Sequence, residues 1–223
     1  MKKIILILAI ALSLASCKNS LEAPAGNNFY FENPQPINDS ELATIPAKFL
    51  GNYINADSIK LSFTNNFIIA ETRNNLTFHK NEMDSLKKEF KVVNGKYILK
   101  SSGEIFESKN IGDSIELRNK KFDTIFKFSP SQKAKRINGN LILNQKDSIY
   151  WKIKLISLNK NKLTIKQLYS NSDLKSLDSI TKIHSKKIDS LNYIISPSRG
   201  EFKKFLQLKN FGFNQEFVKL KNP

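Results

Sequence analysis

The sequence predicts a mainly β fold with a minor helical part. Two tandem, related antiparallel β-meander halves with a few short helices would pack as one barrel-like or sandwich-like unit. Three observations predict this fold. Apolar and polar residues alternate with a period of two, turn residues separate the alternating segments, and short motifs recur in the same order in the second half of the chain. Two meanders joined edge to edge would also fit the pattern.

The alternation marks the strands. The clearest sets of alternating apolar residues are Ile59, Leu61 and Phe63, and Ile149, Trp151, Ile153 and Leu155. Such a pattern is typical of a strand with one buried face and one wet face. We therefore interpret Trp151 as a core residue, although a lone tryptophan on a sheet can also line a sugar or lipid pocket. Asn94-Gly95 and Asn138-Gly139 lie between apolar runs, where Asn-Gly is a strong hairpin signal.

Matching motifs indicate an internal repeat. They are Gly51-Asn52-Tyr53 with Gly139-Asn140-Leu141, Asp57-Ser58-Ile59 with Asp147-Ser148-Ile149, Leu76-Thr77-Phe78 with Leu163-Thr164-Ile165, and Tyr97-Ile98-Leu99 with Tyr193-Ile194-Ile195. Because their order is the same in both halves, we interpret them as a diverged tandem duplication. The alternative is that Asp-Ser-Ile is a common way to leave a turn, and Asp113-Ser114-Ile115 lies outside the matched set.

Capping residues predict three short helices. Asn81 would begin one helix and Ser172 another. Ser198 and Glu201 form a capping box just after Pro197, which predicts a C-terminal helix near residues 199–208. Ser196-Pro197-Ser198 therefore reads as the start of a helix and not as a hydrolase nucleophile turn.

The N-terminus predicts export. Lys2 and Lys3 precede the apolar run Ile4 to Leu14, which is too short for a membrane-spanning helix of roughly 20 residues and suits a secretory signal. Small residues then lead to Cys17, which is the only cysteine of the chain and leaves no partner for a disulfide.

Leu14-Ala15-Ser16-Cys17 resembles the lipobox of bacterial lipoproteins. The resemblance implies cleavage before Cys17, a diacylglycerol on its thiol and a fatty acyl group such as palmitate on its amino group. Lys18, where an aspartate would retain the protein at the inner membrane, favours the periplasmic face of the outer membrane. The residues that follow Cys17 do not support surface display. The mature part is also similar to uncharacterised lipoproteins of AT-rich Gram-negative bacteria, which implies no known activity.

These observations divide the chain into five segments. Residues 1–16 are the signal peptide, and residues 17–46 carry the lipidated Cys17 and a flexible, proline-rich tether that would span on the order of 30 Å. Residues 47–130 form the first β-rich repeat, residues 131–137 a polar connector, and residues 138–223 the second repeat with the C-terminal helix. The aromatic run Phe29-Tyr30-Phe31 would serve as a local anchor of the tether.

The charge has a simple interpretation. The chain carries a net charge of +16, with 36 basic and 20 acidic residues. Only four of the basic residues are arginine, the residue favoured for bidentate phosphate recognition, and the lysines are scattered. We therefore expect solvated faces and no nucleic-acid partner. The densest basic patch, Lys133, Lys135 and Arg136, falls in the predicted connector.

No motif predicts a catalytic or metal site. His79 and His184 are the only histidines, and neither lies in a cluster with metal-ligand spacing. The chain lacks a Gly-x-Ser-x-Gly turn and a phosphate-binding glycine loop. A pair of carboxylates suited to glycoside hydrolysis stays open among Glu104, Glu107, Asp113 and Glu116.

The sequence therefore predicts an envelope lipoprotein with a non-catalytic binding or structural β module, whose ligand it does not identify. It implies no cofactor. Its partners would be the membrane, through the lipid on Cys17, and a protein, glycan or lipid of the envelope. The alternatives are an envelope hydrolase with a dispersed Asp, Glu and Ser site, and a lysine-driven binder of anionic lipid or polymer.

Overall fold

The computed structural model describes Leu21 and residues 23–180, 185–208 and 211–221. The predicted signal peptide, Cys17 and His184 lie outside these residues. The described part of the chain is mainly β, with a large mixed sheet that is not closed, and this confirms the predicted fold class.

The strands and helices have the following bounds. The strands are β1 (Asn28–Phe31), β2 (Gly51–Ile54), β3 (Lys60–Phe63), β4 (Phe67–His79), β5 (Phe90–Val93), β6 (Lys96–Leu99), β7 (Ile105–Ile111), β8 (Ser114–Lys127), β9 (Gln132–Ile137), β10 (Asn140–Asp147), β11 (Tyr150–Asn159), β12 (Lys162–Gln167), β13 (Lys186–Lys187), β14 (Asn192–Ile195) and β15 (Phe213–Lys219). The α-helices are α1 (Met83–Glu89), α2 (Asn171–Ile180) and α3 (Arg199–Phe205).

The chain divides into two compact units whose boundaries differ from those of the predicted halves. Residues 71–123 form one unit, which we call the inserted unit, and the described residues of 20–70 and 124–223 form the other, which we call the body. The long strands β4 and β8 contribute residues to both units. The boundary therefore falls within strands, where turn residues give no signal.

The body contains two hydrophobic cores that share strands β10 and β11. Strand β10 contributes Leu141 and Leu143 to the first core and Ile142 to the second. Neighbouring residues of a strand point to opposite faces, so both faces of β10 are covered. The first core also contains Tyr53 and the second contains Trp151, which is 7% exposed and lies in the core as predicted.

The segment predicted as a flexible tether differs most from the structure. We call residues 23–46 the arm. Its strand β1 pairs in parallel with β14 over four residues, and Phe31 pairs with Trp151 of β11. Phe29 and Phe31 are buried in the second core. Burial of two phenylalanines and pairing on two sides make the arm part of the body and not a loose linker.

The predicted connector is also a strand. Strand β9 pairs with β10 along its whole length. Lys135, expected on a solvated linker, is only 6% exposed, and its ammonium donates hydrogen bonds to the carbonyls of Pro34 and Pro36 at 3.1 and 2.8 Å. Burial lowers the pKa of Lys135, while Glu41 and Asp39 act in the opposite direction. The charge is tolerated because carbonyl oxygens of the arm replace its water.

A buried amide joins the arm to the body. Asn144 of β10 is fully buried. Its side-chain amide both accepts a hydrogen bond from the backbone of Gln35 and donates one to it. The Gln35 amide donates to Asn144 Oδ1 at 2.6 Å, and Asn144 Nδ2 donates to the Gln35 carbonyl at 2.9 Å. The side-chain amide of Asn144 therefore satisfies the backbone groups of Gln35 that a neighbouring strand would otherwise satisfy.

Two predicted helix starts and one predicted core position were wrong. His79 Nδ1, not Asn81, accepts the capping hydrogen bond, which comes from the Asn81 amide before α1. Ser170, not Ser172, accepts from the Asp173 amide at the start of α2. Ile149 is 69% exposed because it lies in the turn before β11. The capping box of Ser198 and Glu201 at α3 is confirmed.

The paired repeat motifs fall on elements of the same kind. The hairpin β2–β3, then β4, α1 and the hairpin β5–β6, have the same order as the hairpin β10–β11, then β12, α2 and the hairpin β13–β14. The order then diverges, because β7 follows in the first set and α3 in the second. The duplication stays a prediction that this order favours.

The inserted unit has its own core. Strands β5 to β8 form an antiparallel series, and α1 packs on it through Leu86. Phe90 lies at the centre of this core, with its ring edge-on to those of Phe78 and Phe106 at 6.5 and 5.5 Å. The unit can therefore be described by itself as a small sheet covered by one helix.

Tyr53 gives the body a specific sensitivity to alkali. The side chain is buried, its hydroxyl donates to the Phe49 carbonyl at 2.9 Å, and burial raises the pKa of Tyr53 from 10.0 to about 12. The unfolded chain loses this proton first, so the stabilisation is fully present below about pH 10 and is lost as the pH rises to about 12. At about pH 11 we expect this residue to lower the free energy of unfolding by about 1.4 kcal/mol relative to neutral pH.

Urea unfolding at about pH 9 and about pH 11 measures this effect. Tyr53→Phe should lose less stability over this interval than the wild type, whereas Tyr97→Phe in the inserted unit should behave as the wild type. Equal alkaline losses in the wild type and Tyr53→Phe would contradict the prediction.

Candidate ligand cavity

The body contains a cavity of about 430 Å³. This volume lies in the range of roughly 300–1,000 Å³ that is usual for small-molecule sites. Its wall combines the start of the arm, the end of β8, the middle of β10 and β11, and the segment after β12. The residues that line it are Ala23 to Phe29, Phe31, Ile125, Phe126, Leu143, Gln145, Lys152, Ile153, Lys154, Gln167, Leu168, Tyr169 and Leu191.

Close backbone contacts hold the arm in this wall. The Asn27 amide donates to the Tyr169 carbonyl at 2.7 Å, and the Asn28 amide donates to the Leu191 carbonyl at 2.7 Å. A Cβ atom on Gly26 would lie 2.2 Å from the Tyr169 carbonyl oxygen, so only glycine fits there without a shift of the backbone. Gln167 Nε2 also donates to the Leu21 carbonyl at 2.5 Å.

The wall combines apolar and basic side chains. Ile125, Phe126 and Leu143 extend the first core of the body into the cavity. Lys152 and Lys154 of β11 are partly buried and lie on one face of the strand, because they are two residues apart. The described residues that line it include no Asp, Glu, His, Ser or Cys. These residues therefore offer cations and amides, with no carboxylate or imidazole base among them.

Lys152 is held in place from two sides. Its Nζ lies 2.8 Å from Asp147 Oδ2 and 4.9 Å from the centre of the Tyr30 ring. Burial by itself acts to lower the pKa of Lys152, but the hydrogen bond and charge of Asp147 together with Tyr30 outweigh it, and the net result is a raised pKa. The side chain therefore stays charged at neutral pH. Tyr30 belongs to the arm, so the arm also fixes this lysine.

The structure places most of the sequence-predicted polar residues at exposed or ion-paired positions. His79 is exposed and serves as a helix cap. Of the four carboxylates considered for glycoside hydrolysis, Glu116 forms an ion pair with Arg118 at 2.5 Å, and Glu107 and Asp113 are exposed. No group of three or more metal-binding side chains occurs among the described residues.

Sequence reasoning missed Lys152 and Lys154 because it assigned them to a wet face. One signal was present: Ile156 shares their side of β11 and is buried in the first core. A strand with apolar residues on both sides has no wet face over that length. No sequence pattern indicated that Gln145, Gln167 or the arm would line a cavity, because their neighbours there come from distant parts of the sequence.

A second concave region lies within the inserted unit. It has a volume of about 510 Å³ and is lined by Arg73, Asn75, Lys96, Ile105, Glu107, Arg118, Asn119 and Lys120. Arg73 and Arg118 each form an ion pair two residues along their own strand, with Glu71 at 2.9 Å and Glu116 at 2.5 Å. The arginine charges are thus largely balanced, as on a solvated sheet face.

Comparisons with known proteins add no family to this description. No protein-family model, no curated protein and no solved structure matches the chain. Within the described residues, no helix has the length and apolar character that crossing a bilayer requires.

Proposed function

We propose that this chain is an envelope lipoprotein, anchored through Cys17 at the periplasmic face of the outer membrane, whose body is a non-catalytic binding module. The cavity of the body is its ligand site. The observation that carries this proposal is a cavity of about 430 Å³ lined by apolar side chains, two lysines and several amides, with no carboxylate or imidazole among the described residues of its wall. These groups can bind and orient a molecule, and they include no carboxylate or imidazole to act as the base of a hydrolysis.

The hydrolase alternative is less well supported. Its site would need a nucleophile beside a base, or two carboxylates facing one space. Neither the cavity of the body nor the concave region of the inserted unit combines these groups among its described residues, since the first has no carboxylate and the second has only Glu107.

Photo-crosslinking tests the cavity as a ligand site. The mature protein is purified from membranes, reconstituted in phosphatidylcholine vesicles and irradiated with diazirine derivatives of decanoic acid and of decanol. We expect at least one of these probes to label peptides of the cavity wall. Gln145→Trp should lower this labelling by about tenfold, because a large side chain at this exposed strand position fills the cavity while suiting the strand.

The matched control is Thr124→Trp, which adds the same side chain at an exposed, uncharged position of β8 outside the wall. Its labelling should equal that of the wild type. If neither probe labels the wall, or if the two tryptophan variants behave alike, the cavity is not a ligand site and the proposal fails.

A further inference from the structure

We propose that strand β5 of the inserted unit binds an extended, acidic segment of a partner protein, which adds to the sheet as a further antiparallel strand. Strand β5 lies at the end of the sheet, and among the described residues it pairs with β6 on one side and with no strand on the other. Three features carry this inference: the open backbone edge of β5, its exposed apolar side chains, and the lysines around it. It does not depend on what the cavity of the body binds.

The backbone of Val92 faces the open edge of β5. In an antiparallel hairpin, hydrogen-bonded pairs of residues alternate with pairs that are not bonded. The Lys100 amide donates to the Glu89 carbonyl at 2.9 Å, which makes theirs a bonded pair. Phe90 and Val92 therefore belong to unbonded pairs, and their backbone groups point away from β6. The Leu86 carbonyl takes the Phe90 amide, which leaves the amide and carbonyl of Val92 for a partner strand.

The end of β5 is apolar and exposed. Val92 is 54% exposed and Val93 is 45% exposed, and they lie on opposite faces of the sheet because they are neighbours in a strand. A strand laid along β5 would remove part of both side chains from water. By contrast, the other end strand, β13, consists of Lys186 and Lys187 alone. Such a short, charged edge is protected against pairing, whereas β5 has the length and the apolar residues to accept a partner.

The lysines around β5 select the charge of the partner. Three exposed lysines near the edge have no side-chain partner among the described residues: Lys88, Lys91 and Lys96. Two carboxylates occur in this part of the chain, and Asp84 already pairs with Lys87 at 3.6 Å. Glu89 is the other, so it balances at most one of the three free charges. An acidic strand is therefore favoured over a neutral or basic one.

The register defines the sequence pattern of the partner. Residues directly opposite each other in a sheet have side chains on the same face. An apolar residue opposite Val92 would lie on the face where Phe90 is buried, and an acidic residue opposite Lys91 would lie on the other face. The segment should therefore alternate acidic and apolar residues. A second copy of this chain is disfavoured, because it would bring two basic edges together.

Two fluorescent peptides test the charge of the partner. One alternates Glu and Val over about ten residues, and the other alternates Lys and Val over the same length. The full mature protein, purified from membranes, is kept in a mild detergent, and binding is measured by fluorescence anisotropy. We expect the Glu peptide to bind at least about tenfold more tightly than the Lys peptide, and its affinity to fall as salt is added.

N-methylated forms of the Glu peptide test the backbone pairing. With a valine opposite Val92, the amides of the valines point to β5 and those of the glutamates point to solvent. Methylation of the valine amides should therefore abolish binding, whereas methylation of the glutamate amides should preserve it. Hydrogen exchange of the Val92 amide should slow only when a binding form of the peptide is present.

Two variants of Val92 test the edge from the side of the protein. Val92→Pro removes the amide that faces the partner, and proline is tolerated at an edge position whose amide points outward. It should weaken binding of the Glu peptide at least about tenfold. Val92→Thr keeps the amide and the branched side chain, and its affinity should stay within about threefold of the wild type.

Two pairs of lysines test the charge from the side of the protein. Lys88→Gln/Lys91→Gln should weaken binding of the Glu peptide by about fivefold and reduce its dependence on salt. Lys203→Gln/Lys204→Gln removes two exposed lysines of α3 and should change neither.

The contrary outcomes are distinct. If neither peptide binds, if both bind alike, or if Val92→Pro and Val92→Thr behave alike, the inference is overturned. If the protein forms a dimer by light scattering and Val92→Pro abolishes it, the occupant of the edge is a second copy and the inference is overturned as well. None of these outcomes bears on the cavity as a ligand site.

Discussion

Cys17→Ala is expected to leave the protein as an uncleaved precursor that carries no fatty acid. In the lipoproteins that the N-terminus resembles, the thiol receives the diacylglycerol before cleavage, so its loss stops both steps. The physical effect is large because each buried methylene of an acyl chain contributes about 0.8 kcal/mol to membrane binding, and only more than one chain gives stable attachment. Incorporation of radioactive palmitate and the mass of the intact protein measure the two steps.

Ser16→Ala is the matched control, because it keeps a small residue before the cysteine. It should be cleaved and labelled as the wild type. Cleavage of the Cys17→Ala protein at the same peptide bond would point instead to an ordinary signal peptide with a chance cysteine. In that case the proposed anchoring through Cys17 would be wrong.

Asn144→Ala is expected to lower the free energy of unfolding by about 3 kcal/mol. The substitution leaves the buried amide and carbonyl of Gln35 without the partners that lie at 2.6 and 2.9 Å in the wild type. Each buried polar group that loses its partner costs about 1–3 kcal/mol. Because the lost bonds hold the arm, early release of arm peptides on limited proteolysis should accompany the loss of stability. Urea unfolding in a mild detergent measures the free energy.

Asn28→Ala is the comparison. The Asn28 side chain donates to Asn192 Oδ1 at 2.9 Å, but both side chains are exposed or partly exposed and can bond to water instead. We expect a loss within about 0.5 kcal/mol. If Asn144→Ala lowered the free energy of unfolding as little as Asn28→Ala, the prediction would be wrong. The arm would then be held mainly by the burial of Phe29 and Phe31, which further substitutions would test.

The parts of the fold that local pattern determines could be predicted from the sequence. Alternation placed Leu61, Phe63 and Trp151 in cores because strand periodicity is a property of neighbouring residues. The capping box of Ser198 and Glu201 was predictable for the same reason, since both residues belong to one helical turn.

The arm and the cavity could not be predicted because their contacts are non-local. Prolines and polar residues indicate coil, yet the bonds that order the arm join Gln35 to Asn144 and Lys135 to Pro34, about half a chain apart. From the sequence alone a lysine is expected to be exposed, because lysines are rarely buried unless other groups pair with them. Which of the lysines line a cavity depends in the same way on how the sheet curves.

The parallel pairing of β1 with β14 has a consequence for when this protein can finish folding. Chains are synthesised and exported from the amino end, so β1 emerges long before its partner. Asn28 and Asn192, which bond across this pair, are 164 positions apart in the chain. Contacts of such long range form late and slow the folding of a domain. Strand β1 therefore lacks its parallel partner until almost the whole polypeptide has been delivered, a delay that suits the export that we propose for this chain.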